Sequence, residues 1–140
     1  MTVFDAEPTQ QVEATTRAIR IAAIPVFLDG QSDPDEGRYL WAYDIQIENQ
    51  GEETVQIVTR KWLITDSLGR TEMLTGGGII GHNPVLGPGN GFRYQSGVPL
   101  GTPSGIMSGD FELENANGER FWVQVPTLSL DSPYDTSRPN

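Results

Sequence analysis

Apolar and polar side chains alternate most regularly between residues 38 and 66. Apolar residues occupy every second position from residue 39 to residue 47: Tyr39, Trp41, Tyr43, Ile45 and Ile47. A period of two is typical of a strand with one buried face, because successive side chains point to opposite sides of a sheet. Turn formers at 49–53 interrupt the pattern, and apolar positions resume from Val55 to Ile64. We therefore predict two long strands joined by a polar turn, forming a central hairpin beside which the later strands lie.

Further strands are predicted on both sides of this segment. Residues 18–28 form the first, and Pro25 predicts a sheet edge or a bulge there because proline cannot donate to a strand ladder. Shorter strands are expected at 70–75, 91–97, 107–114 and 121–125. Asn117-Gly118 predicts a type I′ hairpin between the last two. The glycine- and proline-rich runs 75–91 and 98–105 are predicted to be irregular, since no helix tolerates that composition.

This pattern predicts an all-β fold of about seven or more short strands, arranged as an immunoglobulin-like antiparallel β-sandwich. A closed barrel is the alternative that the pattern leaves open. The predicted domain covers residues 17–130. Residues 1–16 are expected to be flexible, with a short helix over 10–16 as the alternative, and residues 131–140 to be a disordered tail.

Composition narrows the functional classes. The chain has 140 residues, no cysteine and a formal net charge of −10. Disulfides, thiolate zinc sites and cysteine nucleophiles are therefore excluded. An acidic surface repels phosphate backbones and anionic lipid, so we expect no nucleic-acid or membrane partner. The N-terminus lacks a basic flank and an apolar core, so we expect a cytoplasmic protein.

The glycine run contains the only motif with a known ligand chemistry. Gly76, Gly78 and Gly81 spell G-x-G-x-x-G, but Asn83-Pro84 and the glycines and prolines after it exclude the helix that a Rossmann site needs. A nest of backbone N–H groups that binds a phosphate remains a hypothesis. The alternative is an inter-strand loop whose glycines adopt positive φ.

Two arginines are the charged candidates for the same site. Arg60 and Arg93, if on adjacent strands, would face one carboxylate or phosphate. The alternative is that each pairs with one of the surplus acidic side chains across strands.

Other candidates carry less chemistry. The acidic cluster of the first long loop lacks the spacing of an EF-hand, although oxygen ligands suit hard divalent ions; it comprises Asp29, Asp33, Asp35 and Glu36. His82 is the only histidine and has no nucleophile motif beside it, so we predict no catalytic residue, metal site or cofactor. Trp122 falls on the polar face of its strand, which makes it a candidate contact residue at a protein interface unless the segment through Leu128 and Leu130 covers it.

Short motifs along the chain resemble the ApaG family, also known as CorD. They include Gln31-Ser32-Asp33-Pro34, Gly37-Arg38-Tyr39, Trp62-Leu63-Ile64-Thr65-Asp66, Gly76-x-Gly78-Ile79-Ile80-Gly81, Pro88-Gly89 and Thr102-Pro103-Ser104-Gly105. The resemblance implies a small sandwich similar to fibronectin type III domains, without established catalytic activity. It also implies an association with cobalt and magnesium efflux, and a relationship to the C-terminal part of certain F-box proteins.

We therefore expect a non-enzymatic binding module that recognises an unidentified protein partner and is itself a monomer or weak dimer. The exposed edge strands and the two glycine- and proline-rich loops are the expected recognition surface. The alternative function is binding of phosphate, pyrophosphate or a divalent cation at the glycine run.

Overall fold

The computed structural model describes residues 11–79 and 81–135 of the chain. These residues form strands, two short 3₁₀ turns and no α-helix. The strands are β1 (Val12–Thr16), β2 (Ile19–Phe27), β3 (Tyr39–Asn49), β4 (Val55–Asp66), β5 (Thr71–Gly77), β6 (Val85–Leu86), β7 (Gly91–Leu100), β8 (Ser104–Asn115) and β9 (Arg120–Asp131). Within these ranges no helix is long and apolar enough to cross a membrane.

Two antiparallel sheets face each other. The first has the strand order β1-β2-β3-β7, and the second the order β5-β4-β8-β9, with β6 paired to β4. The all-β antiparallel sandwich predicted from the alternation is confirmed. A closed barrel is wrong, because the described strands form two separate sheets.

The predicted central hairpin is wrong, because β3 and β4 lie in opposite sheets. Alternation shows which face of a strand is buried but not which strand it pairs with. The connection at residues 50–54 is an arch built on Asn49, which is only 1% exposed. The Asn49 side-chain amide donates to the carbonyls of Glu53 and Leu86, and its oxygen accepts from the Gly51 N–H. These bonds replace the ladder that a hairpin would have formed.

The core is made by the inward faces of both sheets, as the alternation predicts. The alternate residues of β3 from Tyr39 to Ile47 are all buried, and β8 buries Met107, Phe111 and Leu113 against them. Trp62 packs between the two sheets with its ring centroid 5.4 Å from that of Tyr43. Each large side chain removed from water contributes roughly 1.5–3 kcal/mol.

Two bulges change which residues face the core. In β4 the register shifts between Ile57 and Thr59, so Ile57 and Trp62 both face inward although their numbers differ in parity. In β9 the register shifts beside Pro126, which carries no N–H for the ladder. The edge strand predicted from Pro25 is wrong, because β2 lies between β1 and β3, and no register shift marks a bulge at Pro25, which pairs with Tyr43.

The prediction of a flexible or helical segment is wrong for residues 12–16. These residues form β1, which pairs with β2 through a two-residue turn in which Arg17 and Ala18 have φ values of 48° and 64°. The strand carries no apolar stripe because its side chains are largely exposed, so its sequence gives no alternation to detect. Residues 1–10 lie outside the described part of the chain.

The other predicted irregular segments are also more ordered than expected. β7 runs to Leu100 and β8 starts at Ser104, so the predicted irregular run 98–105 reduces to a short turn. Residues 131–135, predicted to be disordered, pack on the end of the sandwich: the Ser132 N–H donates to the Pro103 carbonyl, and the Tyr134 hydroxyl donates to Asp29 at 2.7 Å. Asn117-Gly118 does lie in the β8–β9 hairpin, but only Gly118 has positive φ, so the turn is not type I′.

Candidate functional site

The glycine run is an extension of β5 followed by a tight turn. Gly76 and Gly77 are the last residues of β5, and Gly78 and Gly81 have φ values of 64° and 76°. These values lie in the left-handed region that glycine adopts without strain. No α-helix follows in the described residues, so the structure agrees with rejecting a Rossmann site.

Three amides of this turn, those of Gly78, Ile79 and His82, already have acceptors. The Gly78 N–H donates to the Val58 carbonyl at 2.7 Å, and the Ile79 N–H donates to the His82 carbonyl at 2.7 Å. The His82 N–H in turn donates to the Ile79 carbonyl at 2.9 Å. An anion-binding nest needs successive N–H groups that point away from the protein. The amides of Gly78, Ile79 and His82 do not provide one.

Close packing fixes the same turn. A Cβ atom at Gly78 would lie 2.2 Å from the His82 carbonyl oxygen, so no other residue fits there without displacing backbone. Ile79 is fully buried and anchors the turn in the core. His82 itself is exposed, as expected for a loop histidine.

Arg60 and Arg93 do not face a common ligand. Arg60 lies on β4 in the second sheet and shares the inward face with Trp62, whereas Arg93 lies on β7 in the first sheet. The Nε of Arg93 donates to both carboxylate oxygens of Asp44, which is 4% exposed. For Arg93 the alternative is therefore confirmed: it pairs with an acidic side chain of the neighbouring strand. The structure does not bring the two arginines together, because Arg60 is on the inward face of the second sheet and Arg93 bonds Asp44 on the outer face of the first.

Arg60 occupies an unusual position between the sheets. Its Nη1 donates to the carbonyls of Gly77 and Gly78 at 3.1 and 3.0 Å. Among the residues described, no carboxylate lies within ion-pair distance of it, although the chain has a large acidic surplus. Its positive charge opposes the rise in the pKa of Tyr43 and Tyr94 that burial of their hydroxyls causes. The Tyr94 hydroxyl is buried and has no hydrogen-bond partner among the described residues.

Exposed apolar side chains cluster on the outer face of the second sheet. Leu63 of β4 pairs directly with Met73 of β5. Ile106 of β8 pairs with Thr65, two residues along β4 from Leu63 on the same face. These three side chains are 37%, 60% and 50% exposed. Trp122 lies on the same face and is 44% exposed, with the Lys61 ammonium 5.2 Å from its ring centroid. Leu128 and Leu130 are buried in the core, so they do not cover Trp122.

β5 is the edge strand of that sheet. Just beyond its two ends, the Gly78 N–H donates to the Val58 carbonyl and the Asp66 N–H donates to the Arg70 carbonyl. In this register the even-numbered residues of β5 form the hydrogen bonds with β4. By the alternation of an antiparallel ladder, Thr71, Met73 and Thr75 direct their backbone N–H and C=O groups away from β4. In the described part of the chain no strand pairs with that side.

The space beside β5 is open toward the first sheet. A cavity of about 310 Å³ lies between the start of β5 and the end of β7. Its apolar floor includes Ile64 and Leu100, and its rim includes Glu72 and the ion pair of Asp66 with Arg70 at 2.7 Å. Hydrogen bonds from Arg70 and the Leu68 N–H lower the pKa of Asp66 despite the opposing effect of burial.

A larger cavity, of about 440 Å³, lies on the opposite edge of the sandwich, between β2 and the end of β9. Its walls are mainly apolar and include Phe27, Trp41, Leu128 and Pro133. The Trp41 indole N–H is inaccessible to solvent and has no hydrogen-bond partner within residues 11–79 and 81–135. The polar residues that line the cavity are Thr127, Ser129 and Asp131. We take β5 with its adjoining face as the candidate site, because it offers a free backbone edge and an exposed apolar face together.

The metal hypothesis for the acidic loop finds no geometric support. Within residues 11–79 and 81–135, no three histidine, aspartate or glutamate side chains approach closely enough to hold a metal ion. Asp29 accepts the Tyr134 hydroxyl instead. Asp33 forms a bridge with Arg38 through backbone bonds.

Sequence reasoning missed the residues that distinguish β5. Met73, Leu63 and Glu72 were not candidates, because a solvent-facing side chain on a short strand carries no pattern of its own. The available signal was Thr71–Gly77 itself, a short predicted strand with one charged residue. Only the sheet order shows that this segment is an unprotected edge.

Comparison with known proteins agrees with the resemblance seen in the motifs. The family model described as the ApaG domain matches residues 29–115. Protein ApaG of Rhodospirillum centenum is 51% identical over 125 residues, covering 89% of this chain and 96% of that protein. Protein ApaG of Maricaulis maris is 52% identical over 117 residues, covering 84% and 90%.

A solved structure extends the agreement to three dimensions. The crystal structure of a Bordetella pertussis protein assigned as ApaA superposes with a TM-score of 0.80 at 36% identity, covering 83% of this chain and 94% of that one. The matched family model spans more than half of the chain, and the relatives match over nearly their whole length. The chain therefore belongs to the ApaG domain family.

Proposed function

We propose that this chain is a non-catalytic protein-recognition module that binds an extended segment of a partner along β5. One observation carries the proposal: the outward backbone groups of Thr71, Met73 and Thr75 have no strand beside them in the described residues. Main-chain hydrogen bonds of this kind supply affinity when a peptide adds a strand to a sheet edge.

β7, the edge strand of the first sheet across the gap from β5, is less able to accept an added strand. By the same alternation, Arg93, Gln95 and Pro99 of β7 direct their backbone away from β3. Proline removes one outward donor, and a charged side chain discourages pairing, which are the usual protections of an edge. β5 carries neither protection at its outward positions.

The outer face beside β5 supports the same function. Leu63, Met73 and Ile106 form an exposed apolar cluster that is continuous with the edge, and Trp122 lies farther across the face. Aromatic residues and methionine are enriched at protein interfaces, and lysine is depleted except at the rim. Lys61 stacked on Trp122 suits such a rim.

Site-specific photocrosslinking tests the proposal. A photoreactive phenylalanine analogue replaces Met73 on β5 or, as the matched control, Gln95 on β7, and the protein is expressed in its source organism. We expect a defined crosslinked protein from position 73 and none from position 95. Thr75→Pro removes one outward donor while leaving the bonds to β4 intact, so it should abolish the product without unfolding the domain.

Three results would contradict the proposal. They are the same products from both positions, a product at 73 that persists in Thr75→Pro, and a crosslink only between two copies of this chain. Binding of a small anion stays the alternative prediction. Its test is an NMR titration with pyrophosphate, ATP and Mg²⁺, in which saturable shifts confined to the amides of Gly76–Gly81 at sub-millimolar ligand would favour the alternative.

A further inference from the structure

The inner side of the β5 edge has opposite electrical character at its two ends. Arg60 lies beside Gly76 at the C-terminal end of the strand, and Glu72 lies near its N-terminal end. Leu74 lies between them on the same side, opposite Trp62, and is 44% exposed. The edge therefore presents a cation, an apolar group and an anion in order along one side.

Arg60 is poised to receive an acid. It is partly buried, and its ion-pair partner is absent among the described residues, although two carbonyls hold its Nη1. Gly76 leaves its guanidinium uncovered: a Cβ atom there would lie 2.8 Å from Nη2 and 2.9 Å from Nη1. A guanidinium is the side chain best suited to bind a carboxylate at a partly desolvated site.

Glu72 is available to form an ion pair with a basic side chain. It lines the 310 Å³ cavity between β5 and β7, and within the described ranges it forms no salt bridge. The neighbouring Asp66 is already paired with Arg70. A lysine or arginine side chain can lay its apolar stem on the cavity floor at Ile64 and Leu100 while its charge meets Glu72.

The spacing of these groups matches a strand. Residues 72, 74 and 76 alternate onto the same side of β5, and the outer two are roughly 13 Å apart along the strand. A strand added to this edge would place every second side chain opposite them. An antiparallel arrangement is favoured, because every described ladder in the molecule is antiparallel and that pairing is slightly more stable per residue.

We propose that the partner segment is an antiparallel strand with the pattern acidic–x–apolar–x–basic. The acidic residue meets Arg60, the apolar residue meets Leu74 and the basic residue meets Glu72. The two intervening residues face outward, and the second of them contacts Met73. This inference rests on the proposed function, because it specifies the strand that β5 accepts.

Two peptides of identical composition test the pattern. The first is Thr-Glu-Thr-Val-Ile-Lys-Thr, and the second, Thr-Lys-Thr-Val-Ile-Glu-Thr, exchanges the two charges. Both are capped at their ends and titrated into ¹⁵N-labelled full-length protein. We expect the first to bind about tenfold more tightly, as two partly screened ion pairs allow, and to shift the amides of Thr71, Met73 and Thr75.

A charge reversal on the protein provides the second measurement. Glu72 is exposed and unpaired in the described chain, so Glu72→Lys should fold even if an Arg60 variant does not. It should reduce binding of the first peptide about tenfold and favour Thr-Glu-Thr-Val-Ile-Glu-Thr instead. Glu114→Lys, on β8 of the same sheet, is the control and should leave the preference unchanged.

The outcomes separate this inference from the function on which it rests. Equal affinity for the two peptides, with both lost in Thr75→Pro, would overturn the charge pattern while strand addition stands. Tighter binding of the exchanged peptide would overturn the antiparallel arrangement. Absence of any shift in β5 at millimolar peptide would overturn the pattern, whereas the crosslinking at Met73 decides independently whether β5 binds protein at all.

Discussion

Along one side of the sandwich β9 packs against β1 and β2, whereas along the other side β5 and β7 flank a gap. On the packed side Arg17 lies 4.0 Å above the ring of Phe121 and donates two hydrogen bonds to Glu119. On the gap side Arg60 has only carbonyl partners in the described chain. The first side is joined by side-chain contacts between the sheets, and its 440 Å³ cavity lies at one end only, between β2 and the end of β9. The other side leaves backbone and charge available to a ligand.

We infer from this contrast that one side stabilises the fold and the other is available for binding. Contacts across β1 and β9 stabilise the native sandwich, so substitutions there should act on folding. Groups on the outward side of β5 have few neighbours, so substitutions there should act on binding and leave folding almost unchanged.

Gly78→Ala should cause the largest loss of stability, because the glycine turn after β5 is closely packed and leaves no space for a side chain. The added Cβ atom would meet the His82 carbonyl at 2.2 Å in a left-handed backbone conformation. We expect the free energy of unfolding to fall by about 3 kcal/mol, measured by urea denaturation. Gly81→Ala, with positive φ but nothing within 4 Å, is the control and should lower it by about 1 kcal/mol. Equal effects would show that the turn can move.

Arg17→Ala tests the packed side. It removes both the bidentate pair with Glu119 and the cation over Phe121. We expect Tm to fall by a few degrees in a thermal melt, more than for Arg120→Ala, which loses a single exposed pair with Glu114 at 3.0 Å. A Tm that is unchanged in Arg17→Ala would mean that apolar packing alone holds β1 and β2 against β9.

Acidification should weaken the same side. The hydrogen bond from Arg17, reinforced by its charge, lowers the pKa of Glu119 below the ordinary carboxyl value of 4.5. The stabilisation is therefore complete above that value and is lost as pH falls through the lowered pKa of the folded state. We expect the stability difference between wild type and Glu119→Gln to be constant from pH 6 to pH 5 and to shrink below pH 4. A difference independent of pH would contradict this, and Glu72→Gln serves as the control without an ion pair.

Met73→Ala should have the smallest effect on folding. The side chain is 60% exposed on the edge strand, so the free energy of unfolding should change by less than about 0.5 kcal/mol. Gln95→Ala on the other edge strand should behave alike in the melt but, unlike Met73→Ala, should not weaken peptide binding. A loss above about 1 kcal/mol for Met73→Ala would mean that this side chain is packed and that the edge is less available than we infer.

Alternation predicted the faces of the strands well. The inward positions of β3 and the inward set of β8 could be assigned from the sequence, because burying one face imposes a strict period of two. The resemblance to ApaG also followed from short motifs. Pairing was not predictable: the polar turn after β3 is compatible with a hairpin or an arch, and only the hydrogen bonds of buried Asn49 decide between them.

The candidate site was harder to predict for the same reason. The bulge at Val58 carries no glycine or proline signal, yet it turns Arg60 inward and separates it from any ligand shared with Arg93. The edge position of β5 depends on the order of strands distant in sequence. Trp122 was a candidate because it falls on the polar face of its strand. Met73 and Glu72 became candidates only once the sheet order placed β5 at an edge.

The buried Ile79 has a consequence for dynamics. Abundant glycine is commonly associated with backbone motion, yet a side chain with no solvent exposure holds this segment to the hydrophobic interior. Nanosecond fluctuations of residues 76–79 should therefore be as restricted as those of the adjoining sheet, with order parameters near the rigid value of about 0.85. Opening the turn would require withdrawing an isoleucine from the core, so its amide protons should exchange with deuterium slowly.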